Sequence, residues 1–291
     1  MRRRIGTPAT VASVVFAIVG VLWPGVAGAQ TRACRPLGFS NVTPFVPVPV
    51  AVPPPANVVI TLPLVVHYMK STDPRHAPNH DLQRVFAENV LSELLESKDA
   101  KRDTVNSIWR GAKIRVVLHR AEECDYTPAD FEIPNADKEQ ISSPMAGQFG
   151  ARLFNRINAA FNATDVPGLD LYLWMDIKAG LVGYGASHRK SDPHRIGAAW
   201  VDRGCPTNIG RRCGVLVAHE VGHFLGLCHS CENSLTDSGI CTVCLPEGTP
   251  AAPTCGPPKN LLMRPWFDGI GLSRCEVEQA RLKAAQRLNA R

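Results

Sequence analysis

The segment HEVGHFLGLCH, residues 219–229, concentrates the side chains of this chain that can do chemistry. In a helix of about 3.6 residues per turn, His219 and His223 rise from one face a single turn apart, close enough for both imidazoles to hold one metal ion. Glu220 stands beside them. Gly226, without a Cβ, can adopt a left-handed conformation, end the helix and turn the chain so that His229 approaches the same ion. Three neutral nitrogen ligands leave a tetrahedral zinc with its fourth position open to water, which is the catalytic rather than the structural arrangement. Zinc lowers the pKa of bound water from 15.7 toward roughly 7, and Glu220 as general base would take the proton and pass it to a departing amine. A lone histidine is ordinarily packed or solvated. Three at this spacing, with a carboxylate and a glycine in place, are not explained by packing.

The order His219, Glu220, His223, Gly226, His229 resembles the signature of the metzincin metallopeptidases, H-E-x-x-H-x-x-G-x-x-H followed by a turn containing methionine. Met263, in NLLMRP at residues 260–265, stands where that methionine belongs. The resemblance implies that Met263 lies beneath the metal as a hydrophobic base. It also implies an α+β zincin fold, with a mixed twisted sheet and helices above a zinc cleft and an irregular, disulfide-rich part below. The activity implied is that of a secreted zinc endopeptidase with protein or peptide substrates. Met-Arg-Pro is closer to the Met-Tyr-Pro of matrixins. Pro265 stands where astacin-like and pappalysin-like members carry a tyrosine, which excludes a tyrosine ligand or oxyanion partner from that position; the choice between a matrixin-like and a pappalysin-like branch stays open. Matrixins also block their zinc with a propeptide cysteine. Cys34 in RACRPLG is a weak echo of it, and a disulfide is the plainer use of that residue.

The elements that must position the site follow from hydrophobic periodicity. VVITLPLVVHY, residues 58–68, reads as a strand, with Pro63 pushing it toward an edge or a bulge. Leu82, Val85, Phe86, Val90, Leu94 and Leu95 recur at helical spacing between Asp81 and Glu96. Lys113–His119 alternates as a second strand, and Met145–Phe161 reads as a second helix. Leu169–Ile177, Leu181–Ser187 and Ile196–Asp202 read as three short strands. Gly183, Tyr184 and Gly185 lie in the presumed edge strand, where an extended peptide substrate can add by strand pairing; a glycine-containing turn is the plainer reading. Ser273 with Glu276 forms a capping box, and Val277, Ala280, Ala284 and Leu288 continue a helical stripe.

The chain has 291 residues, 45% apolar and 20% charged, enough for an ordinary buried core and against wholesale disorder. Residues 1–29 have the order of a secretory signal: MRRR, an apolar run from Val11 to Trp23, and Ala27-Gly28-Ala29 before Gln30. That run falls short of the roughly 20 residues that span a bilayer, so a secreted or periplasmic protein with no membrane anchor is expected. Arg2, Arg3 and Arg4 leave with the signal, which lowers the formal charge of +6 to a balance too weak to argue for nucleic acid. Residues 30–57 are proline-rich, with Pro36, Pro44, Pro47, Pro49, Pro53, Pro54 and Pro55, and read as a leader or short propeptide. Residues 58–291 are then the catalytic domain. The oligomeric state is not legible.

All ten cysteines lie after the signal, and an even set in an oxidising compartment reads as disulfides. Cys228-x-x-Cys231 and Cys241-x-x-Cys244 have the spacing of a structural zinc ribbon, the rival reading. It would make the chain a cysteine-zinc interaction module; a further alternative is an exported binding protein whose metal only stabilises it. His188, Asp192 and His194 are a weaker candidate for a second metal site, and calcium binding is open. Asn41-Val42-Thr43 and Asn162-Ala163-Thr164 match glycosylation acceptors, inert in a prokaryote.

Overall fold

The computed structural model describes residues 34–46, 48–72, 88–99, 103–127, 168–173, 211–228, 261–263 and 269–289, all within the unit Thr31–Arg291. These residues form a mixed α+β structure. Strands β1 (Arg35–Pro36), β2 (Ile60–Ser71), β3 (Ile114–Tyr126) and β4 (Leu169–Leu173) build one sheet in the order β1-β3-β2-β4. The helices among the described residues are α1 (Glu88–Leu95), α2 (Val105–Trp109, continued by a 3-10 turn at Arg110–Ala112), α3 (Arg211–Phe224) and α4 (Arg274–Asn289). β2 pairs in parallel with both β3 and β4, and β1 pairs antiparallel with β3.

The strand carrying Pro63 lies in the centre of the sheet, so the edge placement is corrected, whereas the bulge is present. β4 begins to pair only at Leu64↔Leu169, so no second ladder asks Pro63 for the N–H it lacks. The register then slips between Leu64 and Val65: Leu64 faces Leu118 but Val65 faces Arg120, leaving His119 as the extra residue of β3. This slip also explains why the alternation of β3 is legible only as far as His119. Because side chains alternate with period two, one extra residue reverses the parity of everything after it.

Ile60, Leu62, Leu64 and Val66 of β2, Ile114, Val116, Leu118 and Ala121 of β3, and Leu171 of β4 share the face that meets the helices. The opposite face of β2 holds Val65, His67 and Met69, which are also buried. Burial on both faces is what a parallel strand written ITLPLVVHYM requires.

Helix α2 is locked to both neighbours. Thr104 and Ser107 form a reciprocal capping box at its start. The Asn106 amide donates to the Val116 carbonyl at 2.9 Å and its oxygen accepts from the Val116 N–H at 2.7 Å. The fully buried Trp109 donates from Nε1 to the Ala218 carbonyl of α3 at 3.1 Å.

Helix α4 closes the other side. Its capping box has the expected geometry: Ser273 Oγ accepts from the Glu276 N–H at 3.2 Å, and the Glu276 carboxylate accepts from the Ser273 N–H at 2.6 Å. Arg281 donates to the carbonyls of Ala112, Pro55 and Val58. Arg287 donates to the Phe224 carbonyl at the end of α3 and lies 4.0 Å over the Phe224 ring.

The proline-rich stretch is stitched onto this body from Cys34 onward. Cys34 is disulfide-bonded to Cys124. Leu37 donates its N–H to the Ala121 carbonyl and Thr43 donates to that of Leu118, both at 2.8 Å. Phe39 packs edge-on against Tyr68, and Val50 exchanges two hydrogen bonds with the Asn289 amide. No helix among the described residues is long and apolar enough to cross a membrane.

Candidate active site

Helix α3 brings His219, Glu220 and His223 onto the page as the sequence spacing requires. Its buried side chains Val215, Leu216, Ala218 and Val221 belong to the core, which fixes the rotation of the helix. The end of the helix is a Schellman turn. Leu227 donates to the Gly222 carbonyl at 3.0 Å, and Gly226 donates to that of His223 at 2.9 Å, with φ +78° at Gly226. A side chain at Gly226 would make that backbone strained. The predicted turn after the helix is therefore present.

The two histidines are held in the same way. His219 Nδ1 lies 2.7 Å from the Leu262 carbonyl, and His223 Nδ1 lies 2.8 Å from that of Leu227. A carbonyl only accepts, so each Nδ1 is the N–H donor, and in the neutral form of such a ring the lone pair is on Nε2. The rings stand edge to face with centroids 4.7 Å apart. His219 is buried and His223 is half-buried, so the pair sits between the core and solvent. Such backbone partners are what orient imidazoles that bind a metal.

Glu220 is only 5% exposed, and its Oε2 makes no hydrogen bond with any described residue. Burial holds its carboxyl well above the usual carboxylate range. A divalent cation on the neighbouring histidines acts in the opposite direction, favouring the ionised form.

Met263 is fully buried. A β-carbon at Gly222 would collide with the Met263 sulfur, so this glycine, between the two histidines in sequence, is where the thioether reaches the helix. Residue 262, whose carbonyl orients His219, is its chain neighbour. Met263 and the His219–His223 pair are thus brought together by contacts no sequence spacing contained.

His229 lies outside the described residues, as do Gly183, Tyr184, Gly185, His188, Asp192 and His194. The expected helix at 145–161 and the strands at 181–187 and 196–202 lie outside them too, together with residues 81–87 and 174–177. Cys228, one of the four cysteines of the ribbon reading, is disulfide-bonded, and so is Cys275. Cys34 is engaged with Cys124 rather than free to meet a metal at α3.

A second cluster escaped the sequence reading. His67 on β2 is 3% exposed and stacks on Tyr172 with ring centroids 4.3 Å apart. Its Nε2 lies 2.9 Å from Asp170 Oδ1, and its Nδ1 lies 2.7 Å from Glu122 Oε1 and 3.6 Å from Cys124 Sγ. Arg120 Nε lies 3.1 Å from Glu122 Oε2. Desolvation pulls the His67 pKa down, but the hydrogen bonds and charges of Asp170 and Glu122 outweigh it and lift it to about 9. Burial raises Asp170 above its ordinary value against the pull of His67, while His67 and Arg120 overcome burial at Glu122 and lower it. The one sequence signal for this site is a polar HY pair and an isolated aspartate inside apolar runs.

Neither a scan of protein-family models nor a search among curated proteins finds a match to this chain.

Proposed function

We propose that the chain is an exported zinc endopeptidase of the metzincin type, with His219, His223 and His229 as ligands and Glu220 as general base. The observation that carries this reading is the paired donation of His219 Nδ1 and His223 Nδ1 to backbone carbonyls, which aims two Nε2 lone pairs away from the backbone beside a buried carboxylate. Packing alone gives no reason for two imidazoles fixed by backbone carbonyls and a buried carboxylate oxygen without a hydrogen bond within five helical positions.

Zinc bound there supplies Lewis acidity at a scissile carbonyl and acidifies water toward neutral pH. Glu220 takes the proton of the attacking water and returns it to the departing amine, so one carboxylate acts first as base and then as acid. The half-buried His223 keeps this edge of the site accessible, while His219 and Met263 close its inner side. Disulfide bonds at Cys34–Cys124, Cys228 and Cys275 support an oxidising compartment and speak against the ribbon module.

The test compares the purified protein with Glu220→Gln on casein and a mixed peptide library, with and without a zinc chelator. The expected outcome is one zinc in both proteins and a loss of turnover of about 10²–10⁴-fold in the variant, the usual contribution of a general base. Zinc with no turnover in either protein would favour a metal-stabilised binding protein. Turnover indifferent to chelation would refute the mechanism.

A further inference from the structure

We propose that Cys34, Cys124, His67 and Glu122 form a second zinc site that is closed while the Cys34–Cys124 disulfide is intact and opened by its reduction. The donor atoms Cys34 Sγ, Cys124 Sγ, His67 Nδ1 and a Glu122 oxygen all lie within 4.8 Å of one another. Tetrahedral zinc, with bonds of about 2.0–2.3 Å, holds its ligand atoms less than about 4 Å apart, so shifts of about an ångström suffice. Two thiolates, an imidazole and a carboxylate are a donor set that suits this ion.

The surroundings fit a ligand role for His67 better than an ordinary ion pair does. Asp170, fully buried, accepts from His67 Nε2, which directs Nδ1 toward the two sulfurs and Glu122. A carboxylate on the far nitrogen is the arrangement that fixes tautomer and orientation in metal-binding histidines. Asp170 Oδ2 makes no hydrogen bond with any described residue, so Asp170 spends its bonding on the ring alone. The bulge at His119 is what places Glu122 and Cys124 on the face of the sheet that carries His67.

The chemistry balances with a dithiol as reductant. Its thiolate attacks Cys34 Sγ, the partly exposed sulfur, and Cys124 leaves as a thiolate next to His67 Nδ1. The second thiol of the reductant then displaces Cys34, giving a cyclic disulfide of the reductant and two protein thiols. Binding of Zn2+ releases the two thiol protons and the His67 Nδ1 proton, three in all, while Glu122 is already ionised.

The experiment uses the full chain, treated anaerobically with a dithiol under conditions that keep it folded, and then titrated with Co2+. The readout is the near-ultraviolet thiolate-to-cobalt charge-transfer band, which a three-histidine site cannot produce. The band is expected only after reduction, and the double variant Cys34→Ser, Cys124→Ser should lose the part of it that these two thiolates carry, whatever the other reduced cysteines contribute. Asp170→Asn, which keeps every donor atom, should weaken cobalt binding about 10–100-fold. Three results would each overturn the proposal: a band of undiminished intensity in the Cys34→Ser, Cys124→Ser double variant, no band although alkylation shows Cys34 and Cys124 reduced, or a disulfide that resists the dithiol in the folded chain. None of them touches the His219 and His223 reading, because the ligands of that site are imidazoles and include no thiolate.

Discussion

Two histidine sites in this molecule are built from the same side chain with opposite partners. On α3, each imidazole gives its Nδ1–H to a backbone carbonyl, which leaves Nε2 as the nitrogen outside that bond. On β2, His67 is held between two carboxylates and stays protonated to about pH 9. The partner decides the resting form: a carbonyl takes one ring N–H and leaves the other nitrogen to a cation, whereas two carboxylates keep both ring nitrogens protonated until a metal ion displaces one of those protons. Burial alone does not distinguish them, since His219 and His67 are both almost completely enclosed.

The contrast can be broken most severely at the helix. His219→Ala should abolish peptide hydrolysis and bound zinc together, read by metal analysis and a peptide assay. His67→Ala should leave the α3 site unaltered but strand Asp170 as a buried acid without its hydrogen-bond partner and leave Glu122 with Arg120 alone. Its expected cost is about 3–5 kcal/mol of unfolding free energy, measured by urea denaturation; a cost below about 1 kcal/mol would show that the ion cluster is not the packed unit described here.

Gly222→Ala sharpens the comparison from the side of the core. Its new methyl group forces the Met263 sulfur to move, with about 1–3 kcal/mol of destabilisation and a drop in turnover. An unchanged kcat would separate Met263 from the site.

The effect of pH is the most gradual, because it is spread over the whole interval between the free and the folded pKa of His67. Its folded pKa of about 9 exceeds the ordinary 6.5, so above that lower value the unfolded chain binds fewer protons than the folded one. The stabilisation is complete below about pH 6.5 and declines as pH rises through about 9. Urea midpoints across this range, taken in a Glu220→Gln background so that this buried carboxyl does not titrate, should fall; flat midpoints would contradict a protonated His67.

Much of the α3 site was legible because it is local. The interval of four between His219 and His223 is a property of any helix, and Gly226 can form a Schellman turn whatever surrounds it. The Ser273–Glu276 box is similarly self-contained. The Leu262 carbonyl behind His219 and the Met263 sulfur against Gly222 could be anticipated only through the family resemblance, since the chain separates them by some forty residues. The His67 cluster had no such aid. Its members are spread from Cys34 to Asp170, and the register that joins them depends on a bulge that periodicity reads as the end of a strand.

Within the chain itself, the amino-acid order determined the helix periods, the caps and the donor types at residues 219–229, because each rests on neighbours within one or two turns. Tertiary structure decided that Pro63 stands mid-sheet, that Cys34 meets Cys124 and that of two equally buried histidines one faces a carbonyl and the other two carboxylates. Strand register and the identity of the group facing a ring are set by segments distant in sequence, and protonation follows from that facing group.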